Sequence, residues 1–116
     1  MKLYHVINAD DKDSILIDGL SPACDRMNEQ DYDTMYAIKW PQGSDYQQTD
    51  YNTVCFYKNL DDAMAHDTGD FIVVVNADDI DDDDLDRHPE SDDDNDIICI
   101  WHTTITPDNF DKIITK

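Results

Sequence analysis

Residues able to do chemistry are unevenly supplied in this chain. Removing Glu29 and Glu90 from its 28 acidic residues leaves 26 aspartates, while histidine, cysteine and glycine are scarce. Cys24, Cys55 and Cys99 are widely spaced and form no C-x-x-C pair. His66 and His102 have no ligand-like spacing to a cysteine or to each other, so no zinc set, and no metal site, is expected. Three glycines make no phosphate-cradling loop, and neither a G-x-S-x-G nor a Cys-His nucleophile pattern occurs. No spacing singles out a catalytic set; His5 in the run KLYHVIN, Tyr57 in TVCFY and Asp96 just ahead of IICIW are chemistry-bearing types set in or beside apolar runs. Each also has a purely structural reading. A strand histidine is commonly a hydrogen-bonded core residue, and Tyr57 and Trp101 fit core aromatics with one polar tip.

The elements that must position these residues are legible as apolar runs. Lys2 to Asn8 reads as a first strand, and the Asn-Ala-Asp-Asp that follows reads as a helix start. Ile15, Leu16 and Leu20 fall on one helical face, with Gly19 as the stop. Thr53 to Tyr57 is β-prone, Asn59 is a plausible N-cap, and Asp61 and Asp62 suit the first turn of a short helix through His66. Phe71 to Val75 is a continuous β-branched run, as expected of a central strand covered on both faces. Ile97 to Trp101 is a second buried-type strand. Thr106, Pro107 and Asp108 predict a final helical turn through Phe110 and Ile113. Between these, Ala23 to Gln48 is polar, with an island at Met35 to Trp40 and an expected exposed loop at Gln42 to Asn52. The expectation is one α+β domain over residues 1–116, with a small mixed or antiparallel sheet and a few short helices.

The charge is the most unusual property. Against 8 basic residues the 28 acids give a net charge of -20. Aspartate favours caps and turns, so this charge does not serve to build helices. Residues 78–96 hold eleven aspartates and are expected to be a solvated acidic loop anchored by Ile80 and Leu85. The spacing lacks the glycine and final glutamate of a calcium loop. One reading of the charge is a solvated surface suited to a halophilic cytoplasm, where molar salt shortens the Debye length to roughly 3 Å. Another is a DNA mimic, such as a viral inhibitor, in which Asp81, Asp82, Asp83, Asp84, Asp92, Asp93 and Asp94 stand in for phosphates and engage a basic, nucleic-acid-binding protein. Direct binding of nucleic acid or an anionic membrane is disfavoured on both. No apolar stretch fits a signal peptide or a membrane span of about 20 residues, and reduced cysteines fit a cytoplasmic location.

The order of these pieces resembles small members of the ADP-ribosyltransferase-like fold, which includes diphtheria-toxin-type transferases, DarT-type DNA-modifying toxins and RNA 2′-phosphotransferases. The likeness rests on Leu3-Tyr4-His5-Val6, on Ile15-Leu16 with Gly19-Leu20-Ser21-Pro22, on Val54-Cys55-Phe56-Tyr57 with Leu60-Asp61-Asp62-Ala63, and on Phe71 to Val75. It excludes roughly Ala23 to Asn52. In that family's His-Tyr-Glu branch, the resemblance implies that His5 grips the ribose of NAD and that Tyr4 lies beside it. Asp96 stands in place of the family's glutamate, one methylene shorter. Cys55 occupies the usual tyrosine position, so the aromatic platform for nicotinamide falls to Tyr57 or Tyr36. A mono-ADP-ribosyltransferase-like activity with His5, Tyr57 and Asp96 as catalytic residues is the implied function. The acidic inhibitor of a nucleic-acid-binding protein is its alternative.

Overall fold

In the computed structural model the described residues are 1–25, 28, 30–31, 49, 51–66, 68–88, 96–101 and 103–116. Six strands form one antiparallel sheet: β1 (Lys2–Ile7), β2 (Thr53–Tyr57), β3 (Phe71–Asn76), β4 (Leu85–Arg87), β5 (Ile97–Trp101) and β6 (Phe110–Thr115), in the order β4-β5-β2-β1-β3-β6. Among the described residues two α-helices are complete, α1 (Ala9–Asp18) and α2 (Leu60–His66), with further helical residues at 30–31, 49 and 51–52 and 3-10 turns at Ala23–Asp25, Asp82–Asp84 and Pro107–Asn109. The protein is therefore α+β, with the expected sheet and few helices.

Side-chain alternation carried through the register divides the sheet into two faces. Leu3, Ile7, Val54, Phe56, Val73, Val75 and Ile100 belong to one buried cluster, completed by Leu20, Ala77 and Ile105 from the connections. Cys99, Ile72 and Val74 lie on the other face, towards which α2 contributes the fully buried Ala63. Burial on both sides explains the unbroken FIVVV run of β3, which sits between β1 and β6.

α1 begins after Asn8, which makes no side-chain cap; the Ala9 N–H donates to the Asp70 carboxylate at 2.8 Å instead. It ends at Gly19, and Leu20 exchanges backbone hydrogen bonds with Ile105 at 2.8 and 2.7 Å. The expected apolar face is only partly realised. Ile15 packs against the core, but Leu16, about 100° further round the helix, stays exposed, and Leu20 acts from beyond the helix end.

Three segments differ from expectation. Of Gln42 to Asn52, expected as an exposed loop, the described residues 49, 51 and 52 are helical and Thr49 is buried. The acidic segment is not wholly a loop: Leu85–Arg87 forms β4, paired to β5 through Leu85↔Ile100, Asp86↔Cys99 and Arg87↔Ile98. Ile80 and Leu85 do anchor it to the core. The chain after Pro107 turns for only three residues and then becomes β6, paired along β3 with a bulge at Val74/Val75. Docking Phe110 and Ile113 on the core as a strand satisfies the outer edge of β3, and that non-local pairing overrides the local helix signal.

Candidate functional site

The seam between β1 and β2 is where the sheet is least regular. Lys58 N–H donates to the Asp96 carbonyl at 3.0 Å. Ladder alternation then makes Cys55/Cys99 and Tyr57/Ile97 the closer, non-hydrogen-bonded pairs of β2 with β5. The amide and carbonyl of Cys55 consequently point towards β1. On that side β1 and β2 share one registered pair, Tyr4↔Tyr57, and the Cys55 carbonyl meets the Nδ1 of His5 at 2.7 Å. Because a carbonyl only accepts, Nδ1 of His5 carries the proton and, in the neutral ring, Nε2 is the acceptor. The imidazole also meets the Phe56 ring edge-on, with centroids 5.4 Å apart.

The proposed site residues lie on three adjacent strands but not on one face. Tyr4 and Tyr57 are directly opposite each other and share a face, whereas His5, one residue from Tyr4, is turned to the other. Asp96 lies towards His5's face. Its carboxylate sits 3.7 Å from Arg87 Nε and 4.0 Å from Lys58 Nζ and is about a third exposed. Sheet pairing therefore brings His5 and Asp96 to one side and leaves Tyr57 behind the pleat. Tyr36 and Asp92 to Asp94 lie outside the described residues, as does the side chain of Asp82; Asp81, Asp83 and Asp84 are exposed.

A second constellation unites residues that have no local spacing. Cys55 of β2, Cys99 of β5 and His88, the residue after β4, place one ligand atom each so that all three lie within 4.8 Å of one another. Cys99 and His88 are buried, and the two sulfurs stand 3.2 Å apart. The narrow, non-hydrogen-bonded pairing of Cys55 with Cys99 brings both side chains together on one face. His88 is a diagonal neighbour of Cys99, its N–H donating to the Ile97 carbonyl at 2.9 Å. Thr53 Oγ1 donates to the Thr49 carbonyl at 2.6 Å and lies 3.3 Å from Cys55 Sγ. Since the single hydroxyl proton goes to Thr49, the oxygen accepts from the Cys55 thiol. Two sulfurs and an imidazole suit a thiophilic cation. The sequence offered no signal for this set, because its members come from three strands and the cysteines are 44 residues apart. Cys24 stands away from it, and burial, with a smaller push from the Asp25 carboxylate, raises its thiol above the ordinary range.

The described aspartates are spread over α1, α2, the β3–β4 connection and β6. No described helix is long and apolar enough to cross a membrane. Comparison of the chain with protein-family models, with curated proteins and with solved structures returns no match.

Proposed function

We propose that the chain binds NAD at the β1–β2 seam, as a mono-ADP-ribosyltransferase-like protein of reduced catalytic power. The observation that carries this reading is the hydrogen bond from His5 Nδ1 on β1 to the Cys55 carbonyl of β2, 2.7 Å long. That bond orients the ring so that Nε2 can accept from a ribose hydroxyl. In this reading Asp96 stabilises the positive charge that develops on the ribose as the nicotinamide bond breaks. Arg87 and Lys58 already compensate that carboxylate, so binding should outlast turnover. Tyr57 lies on the face of the sheet away from His5, so in this reading Tyr36 is the other platform for nicotinamide.

Calorimetric titration of NAD into wild type and His5→Ala, at low and at molar salt, tests the reading. Saturable binding that weakens about tenfold or more in the variant is expected, a factor that corresponds to about 1.4 kcal/mol. No heat at either salt from folded wild-type protein would end it.

The exposed Asp81, Asp83 and Asp84 around the 3-10 turn favour a second reading, an acidic phosphate mimic for a basic nucleic-acid-binding protein. For that function, neutralising Asp81 to Asp84 should weaken partner binding and its salt dependence while His5→Ala leaves both unchanged. The opposite pattern would remove the mimic.

A further inference from the structure

We infer that Cys55, His88 and Cys99 form a binding site for one thiophilic divalent cation of the zinc type, with a fourth coordination position left to water or another donor. This inference is independent of the NAD reading. The three ligand atoms already converge within 4.8 Å. Tetrahedral zinc, with bonds of about 2.3 Å to sulfur and about 2.0 Å to nitrogen, places two thiolates about 3.8 Å apart and each sulfur about 3.5 Å from the imidazole nitrogen. The sulfurs, now 3.2 Å apart, must open slightly and the imidazole, within 4.8 Å of both, must close by at most about 1.3 Å, changes within reach of side-chain rotation.

Three features make the site built rather than accidental. Its cysteines project from facing positions in registered strands, Cys55↔Cys99, so the backbone sets their spacing. His88 is 4 % exposed, and its backbone is held by the Ile97 carbonyl, so the imidazole is presented by the end of a ladder. Finally, the Thr53 hydroxyl stands 3.3 Å from Cys55 Sγ and, by turning its proton from the Thr49 carbonyl to the deprotonated sulfur, becomes a donor to the ligand thiolate.

Charge balance favours the same occupant. Two adjacent thiolates, Cys99 buried and Cys55 half-buried, would alone be disfavoured, but with a divalent cation and a neutral imidazole they make a neutral unit. Binding replaces two S–H bonds with two metal–sulfur bonds and releases two protons to solvent. Calcium and magnesium prefer oxygen ligands and do not suit this set, although the exposed aspartates attract them. That contrast separates the site from the acidic surface.

Cobalt(II) chloride serves as the spectroscopic probe, titrated into reduced, metal-free protein in the presence of excess calcium and magnesium. A thiolate-to-cobalt charge-transfer band saturating at one equivalent, and bleached by zinc chloride, is expected. Cys99→Ser and His88→Gln should weaken cobalt binding by more than about a hundredfold, beyond the 10–100-fold that losing a group which only supports a ligand costs; Cys24→Ser should leave it unchanged. Should either variant fail to fold, alkylation of the wild-type protein followed by mass spectrometry decides the matter. Zinc should then protect Cys55 and Cys99 but not Cys24. Absence of the band in folded, reduced protein, equal binding by a folded Cys99→Ser, or no zinc protection of Cys55 and Cys99 would overturn the site.

Discussion

Replacing Gly19 by alanine is expected to cost about 3–5 kcal/mol of unfolding free energy, a large share of the roughly 5–15 kcal/mol typical of a domain. Gly19 has φ 83° and ψ −167°, a region open essentially to glycine alone, and alanine there costs about 1–3 kcal/mol in backbone strain. A Cβ would also lie 2.2 Å from the Ile105 carbonyl oxygen, the atom that accepts from Leu20 N–H. Relief of the clash pushes Ile105 off Leu20 and breaks the bridge that holds the end of α1 to the chain ahead of β6. Each lost hydrogen bond adds about 1 kcal/mol. Gly69→Ala provides the contrast. Its added Cβ meets mainly the Val6 side chain, at 2.5 Å, with the Ile7 carbonyl at 2.9 Å, and no left-handed backbone is required. Urea unfolding of both variants measures the difference. A Gly19→Ala midpoint indistinguishable from wild type would mean that the Leu20–Ile105 bridge contributes little.

Phe56→Ala is expected to lose about 3–5 kcal/mol, the usual cost of emptying an aromatic site that cannot collapse. Phe56 is 1 % exposed, pairs across to Ile98 on β5, and lies in the cluster with Leu3, Val54, Val73 and Ile100. Neighbours fixed in a sheet on both sides relax little, so the cavity persists. Its ring is also the edge-on partner of His5, so truncation removes one of the contacts that orient the imidazole at the seam. Phe56→Leu should recover most of the stability but not the aromatic contact. Comparing the His5 ring resonances and NAD binding of the two variants then separates general destabilisation from loss of orientation. Unfolding of Phe56→Ala with wild-type energetics would mean that this face of β2 does not carry the core.

Much of the fold was readable because its signals are local. β1, β2, β3 and β5 each announce themselves as apolar, β-branched runs, and α2 as a short segment with Asp61 and Asp62 in its first turn. β4 was hidden because Leu-Asp-Arg has no strand signature of its own; it is a strand only because β5 offers an edge beside it. β6 was hidden for the same reason, its Thr-Pro-Asp start carrying a genuine turn signal that ends after Asn109.

The site divides along the same line. The chemistry-bearing types, the placement of His5 within a strand and of Asp96 at the head of another, and the acidity of the whole chain follow from the sequence alone, since each depends on near neighbours and composition. Which face each residue occupies was decided by tertiary structure. The Tyr4↔Tyr57 register sets Tyr57 on the opposite side of the sheet from His5. The β4–β5–β2 pairing gathers half-buried Cys55 with buried His88 and Cys99 into one cluster. The physical reason is that an antiparallel register joins residues tens of positions apart, and a shift of one residue sends every side chain to the other face.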